Sequence, residues 1–160
     1  MTKQGIIDSL GLEPHPSEGG YFKRTYTSDI MLENNAIPRK TLSSIYYMLT
    51  DDSPIGYLHR NKSDIIHYFH SGSPINYFII HPDGQFEKTT LGNDLSNDQQ
   101  PQLIVKGGCW KASELKKGEF GLLSEAVSPG FEYEDMELAN TSIIKQHFTK
   151  IFNEVEKYIR

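Results

Sequence analysis

The chain has a single cysteine, Cys109, among its 160 residues. One thiol cannot build an internal disulfide framework, and this usage points to a reducing compartment. Basic residues are also in deficit, with 16 Lys and Arg against 21 Asp and Glu, for a formal net charge of −5. A nucleic-acid partner would need a basic patch, so that class is set aside. No apolar run is long enough for a membrane span. The opening stretch "MTKQGIIDSLGLEP" is too polar for a signal peptide. Internal repeats and low-complexity tracts are missing, as is a Walker-type phosphate loop. "EFGLLSEA" lacks the second glycine of a nucleophile elbow. The expectation is a soluble, cytoplasmic chain with no nucleic-acid or membrane partner.

What is present fits one domain, since domains run to roughly 100–200 residues. At this length a chain buries roughly 70% of its unfolded surface, enough for a full core without staples. "KQGIIDSLGL" carries apolar residues at Ile6, Ile7 and Leu10, which predicts a short amphipathic helix ending at Gly11. "EPHPSEGG" then breaks the pattern. "YFKRTYTS" and "TLSSIYYMLT" read as strands. Shorter β-like runs follow at 56–60, 65–70, 75–81, 86–90, 102–105, 109–113, 119–127 and 131–138. The turn signals "SGSP", "HPDG", "KGG" and "SPG" lie between them. Many short strands with glycine punctuation predict a sandwich or barrel. At the end, Ile144, Phe148, Ile151, Phe152, Val155 and Ile159 recur at helical spacing. They predict one amphipathic helix over about 141–159, capped by Thr141 or Ser142.

"GYLHRNKSDIIHYFHSG" places His59, His67 and His70 within twelve positions, a density that raises the question of a metal site. Strand alternation sends neighbouring side chains to opposite faces. If position 65 faces inward, so do His67 and Phe69, while Ile66, Tyr68 and His70 face outward.

Several pieces in order, "LGLEPHPSEGGYFKRTY", "LSSIYYMLT", "HRNKSD", "HPDG", "LGNDL", "PQLIV", "GGCW" and "SPGFEYEDMELA", resemble an uncharacterised single-domain cupin family, a domain-of-unknown-function branch of the RmlC-like cupin superfamily. The resemblance implies a double-stranded β-helix, the jelly-roll barrel, over about 20–139 of a single domain spanning 1–160. It also implies a homodimer and a pocket at the barrel mouth. It brings no reaction with it, because fold does not fix function. Metal-binding cupins place a glutamate where this chain has Ile65 and a histidine where it has Lys111. Isoleucine has no lone pair, and a protonated lysine offers only donors and a repelling charge. The expectation is therefore no metal and no cofactor.

His59 corresponds to a histidine of the first cupin motif and, with His67 and Lys111, is expected to line the interior, with Cys109 also facing in. Two imidazoles and an ammonium favour a small polar, anionic ligand. Tyr46, rather than Tyr47, is assigned to the cavity. Tyr21 or Arg24 is expected at the rim, Trp110 outward or at the rim, and Glu137 near the site. Further ligand contacts are thus expected from Tyr46, Tyr21, Trp110 and Glu137. Among the carboxylates of "SPGFEYEDMELA", exposure on a strand is the commoner case. The alternative is a metal-independent sugar or sugar-nucleotide isomerase or epimerase, with His59 or His67 as general base and Lys111 stabilising negative charge.

Overall fold

The computed structural model describes residues 2–33 and 37–160. Helix α1 (Lys3–Leu10) begins where the Thr2 hydroxyl accepts from Gly5 N at 3.2 Å. It ends at Gly11, whose φ of 62° is the left-handed geometry that a glycine supplies without strain. The strands follow as β1 (Glu13–Pro14), β2 (Tyr21–Thr27), β3 (Met31–Leu32), β4 (Arg39–Lys40), β5 (Ser43–Thr50), β6 (Ile55–Asn61) and β7 (Asp64–Gly72). Then come β8 (Ile75–Ile80), β9 (Phe86–Leu91), β10 (Gln99–Gln100), β11 (Gln102–Val105), β12 (Trp110–Glu114), β13 (Phe120–Ser128) and β14 (Met136–Leu138).

Two six-stranded sheets face each other, in the orders β1-β2-β5-β13-β7-β11 and β10-β9-β8-β12-β6-β14. The chain alternates between the sheets from β5 to β8 and again from β10 to β14, β3 and β4 pair separately, and apart from the short parallel β9–β10 pair the ladders are antiparallel. This is the jelly-roll barrel. Its interior is an apolar cluster including Tyr47, Leu49, Tyr77, Ile79 and Leu123, with Cys109 among them. Two further layers cover the outside. Ile6 and Leu12 pack on Met48 and Leu122 behind the first sheet, and the C-terminal segment packs on Leu58, Ile80 and Trp110 behind the second.

Two expectations change here. The C-terminal segment is not one helix. It is α2 (Thr141–His147), a 3₁₀ turn over Thr149–Ile151, α3 (Phe152–Val155) and a 3₁₀ turn over Glu156–Tyr158. Asn140 is the cap, accepting from Ile143 N at 2.9 Å. The helix stops at Phe148 (φ −133°), and the Thr149 hydroxyl takes the Lys145 carbonyl at 2.7 Å. The apolar side chains nonetheless reach the core, and Tyr158 stacks on Phe78 at 4.7 Å. The run expected as a strand over 131–138 is strand only at Met136–Leu138. Arg39 draws Glu134 and Asp135 into a 3₁₀ turn with hydrogen bonds of 2.6 Å to each.

Candidate functional site

Alternation and register decide which side chains meet inside. Across the first sheet, Arg24, Ile45, Glu125, His67 and Leu103 are cross-strand partners in one row. A second row joins Ser43, Val127, Ile65 and Val105. On the facing sheet, His59 pairs with Lys111, which pairs with Ile79. His59, Ile65, His67 and Lys111 are all buried, at 5%, 3%, 0% and 3% exposure. Tyr68 and His70 face out, and His70 meets the Ser124 hydroxyl at 2.9 Å.

The deepest polar group is a triad. The Lys111 ammonium lies 2.7 Å from His67 Nε2 and 3.1 Å from Glu125 Oε1. His67 Nε2 is 3.1 Å from the same oxygen, and its Nδ1 faces the Leu103 carbonyl at 3.3 Å. Burial and the Lys111 charge lower the His67 pKa, so the ring stays neutral and Lys111 donates to both partners. Burial alone would raise the Glu125 carboxyl, but the Lys111 ammonium outweighs it and holds the group well below the usual carboxylate range. The interior cation thus has an interior anion that the sequence reading did not place. Its signal was a lone glutamate sharing the strand phase of Leu123 and Val127.

Nearer the opening lies a cavity of about 30 Å³, lined among others by His15, Glu18, Arg24, His59, Asn61 and Ile65. The loop over 15–20, between β1 and β2, delivers His15 and Glu18. Its backbone is pinned by Tyr57 N donating to Glu18 O at 2.7 Å and by the Tyr47 hydroxyl donating to Gly19 O at 2.9 Å. Gly19, at φ 81°, leaves no room for a Cβ against the Ile55 carbonyl. His15 Nδ1 accepts from Glu18 N at 3.0 Å, which puts its proton on Nε2. His59 Nδ1 donates to the Tyr57 carbonyl at 2.6 Å, which leaves a lone pair on Nε2. Between the two rings, Glu18 Oε2 sits 3.8 Å from His15 Nε2 and 3.5 Å from His59 Nε2, both beyond ordinary hydrogen-bond length.

Burial, reinforced by Lys111, pushes the His59 pKa down to about 4. Burial also lowers His15 and raises Glu18. His59 Nε2 and Asn61 Oδ1 are buried without a hydrogen-bond partner among the described residues. His59 and Asn61 are 5% and 7% exposed.

Four expected contacts lie elsewhere. Tyr47 points into the barrel, while Tyr46 faces the α1 layer, edge-on to His70 at 6.0 Å. Tyr21 lies on that same outer layer, and its strand neighbours Phe22 and Arg24 line the cavity instead. Trp110 is 2% exposed beneath the C-terminal segment, with the Arg60 guanidinium 4.6 Å over its ring. Glu137 is half exposed and pairs with Arg60 at 2.8 Å. His15 and Glu18 were missed because "PHPSEGG" reads as a turn, and composition cannot show that a turn folds over a barrel.

A family model described as Cupin superfamily (DUF985) matches residues 4–139. The chain is 40% identical over 147 residues to the uncharacterized protein YML079W from Saccharomyces cerevisiae, covering 82% of this chain and 72% of that protein. A hypothetical protein from Leishmania major is similar at TM-score 0.92 and 26% identity, covering 99% of each chain. Protein SO0799 from Shewanella oneidensis is similar at TM-score 0.90 and 31% identity, covering 100% of this chain and 98% of that one. Oxalate decarboxylase from Bacillus subtilis, at TM-score 0.57 and 16% identity, matches 92% of this chain and 38% of its own, a likeness of fold alone. The chain belongs to the Cupin superfamily (DUF985) family.

Proposed function

We propose that the barrel cavity binds a small polar molecule with this chain's own side chains and no resident metal, with Arg24 meeting an anionic group at the mouth. The observation that carries this reading is the pair of unsatisfied buried acceptors, His59 Nε2 and Asn61 Oδ1, on one cavity wall. A buried polar atom left without a partner costs about 1–3 kcal/mol, which a ligand or water relieves. Arg24 supplies the cation that the anion expectation had assigned to Lys111. It lies over Phe131 at 5.7 Å, donates to the Phe131 carbonyl at 3.5 Å, and has no carboxylate partner among the described residues.

The donor set does not suit a divalent cation. His67 Nε2 is taken by an ammonium, His15 Nδ1 by two backbone N–H groups, and Ile65 offers no lone pair. Among the described residues, no group of three or more His, Cys, Asp and Glu side chains is disposed to hold a metal. Binding is favoured over isomerisation, because a His59 pKa near 4 is far from the near-neutral value that suits a general base. A homodimer is part of the proposal. It is supported by Tyr68 and Ile104 on one outer face, at 37% and 56% exposure.

A thermal-shift screen of metabolites tests the reading, since a ligand of the native state raises its melting temperature. Hits should stabilise the wild type and lose their effect in His59→Leu. Hits that stabilise both proteins equally would place binding outside this cavity.

A further inference from the structure

Resting on the binding reading above, we propose that the ligand is a short hydroxylated anion, entering hydroxyl end first, with two hydroxyls against His59 and Asn61 and its acid group at Arg24.

The inner end asks for hydrogen-bond donors. His59 Nε2 carries a lone pair because the proton of the neutral ring sits on Nδ1, which donates it in a hydrogen bond to the Tyr57 carbonyl at 2.6 Å. Asn61 Oδ1 is likewise an unpartnered acceptor among the described residues. Glu18 Oε2, 3.5 Å from His59 Nε2, adds a third acceptor beside them. Ammonium, amide and hydroxyl groups can all bring donors into such a site. Arg24 at the mouth, and Lys111, whose effect on His59 exceeds that of Glu125, disfavour a second cation. Of the neutral donors, hydroxyl is the one whose single heavy atom matches a water-sized space.

The available space agrees with that count. A water-sized group needs about 10–15 Å³ by this measure. The cavity of about 30 Å³ therefore admits about two such groups, against two unpartnered acceptors. Adjacent hydroxyls on neighbouring carbons meet that description. The rest of the ligand lies in the opening, where Arg24 is the cation lining the cavity. A guanidinium presents a planar fork of donors that matches a carboxylate or phosphate.

Isothermal titration with a small set of probes separates the features. The set is erythronate and gluconate (hydroxyls with a carboxylate), glycerol 3-phosphate (hydroxyls with a phosphate), erythritol (hydroxyls alone) and butyrate (carboxylate alone). The hydroxylated anions should bind at least about tenfold more tightly than erythritol or butyrate. Whether carboxylate or phosphate is preferred follows from the first two arms. Arg24→Gln, a change at an exposed position, should lower hydroxylated-anion affinity to that of erythritol and leave erythritol unchanged. His59→Leu, checked for folding by circular dichroism, should abolish binding of both.

Butyrate binding as tightly as erythronate would overturn the inference. So would undiminished erythronate binding by Arg24→Gln, or the absence of binding by every probe. A metabolite of another class that binds the wild type and not His59→Leu would overturn the ligand class while leaving the cavity reading in place.

Discussion

Replacing Lys111 with methionine removes a charge and keeps most of the side chain's volume, so the buried triad is tested without opening a cavity. Glu125 is 7% exposed and His67 fully buried, and among the described residues neither has another cation within the distances above. Breaking a buried pair from one side leaves an uncompensated charge, at a cost of about 3–5 kcal/mol. For a chain of this length each kcal/mol lowers Tm by about 2–4 °C, so the expected fall is about 6–20 °C. Glu125→Leu should cost a similar amount, because it leaves the ammonium stranded. The double variant Lys111→Met/Glu125→Leu removes both charges and should recover most of the loss. Urea unfolding followed by circular dichroism gives the three free energies and hence the coupling, expected at about 3 kcal/mol or more. A loss under about 1 kcal/mol for Lys111→Met, or losses that simply add in the double variant, would refute the triad as an energetic unit.

Acidification should destabilise the fold between pH 6.5 and 4. His59 has a native pKa of about 4 against an ordinary 6.5, so its contribution is complete above pH 6.5 and is lost as pH falls through the native value. Two and a half pKa units correspond to about 3 kcal/mol. His15 and His67 act in the same direction, while Glu18, raised by burial, opposes them. Denaturant midpoints across that range measure the slope, which His59→Leu should flatten; an unchanged slope contradicts the assignment. Trp110→Ala should cost about 3–5 kcal/mol in chemical unfolding. Probe affinity at a permissive temperature should not change, because the indole lies behind the second sheet. Arg39→Ala should lower the urea midpoint in the same unfolding assay, because it removes the guanidinium that holds Glu134 and Asp135 in their turn.

The sequence made the barrel legible because its strands are short, aromatic and β-branched, and punctuated by glycine. It also showed that Ile65 and His67 turn inward, since β7 has one face in the core and one toward solvent; Lys111, on the doubly covered β12, was placed inward only by its match to a cupin motif position. Alternation failed at Tyr46 and Tyr47 for the opposite reason. Both faces of β5 are covered, by the barrel core on one side and by α1 on the other, so Met48 and Leu49 are equally buried. The same double covering hid the position of Trp110 under the C-terminal segment. That segment's apolar spacing was readable, but the break at Phe148 depends on a local competition for one carbonyl that periodicity does not register. His15 and Glu18 reach the cavity through a turn, and Glu125 reaches Lys111 only across the barrel. Contacts between residues so distant in the chain are set by tertiary register, which no local pattern carries.

The most direct test of metal-free binding by the cavity is the metal content of protein purified without an added tag or chelator, measured by inductively coupled plasma mass spectrometry. The account predicts iron, manganese, nickel and zinc far below stoichiometric amounts, with metabolite binding intact. A stoichiometric metal that is lost when His59 or His67 is replaced would contradict it.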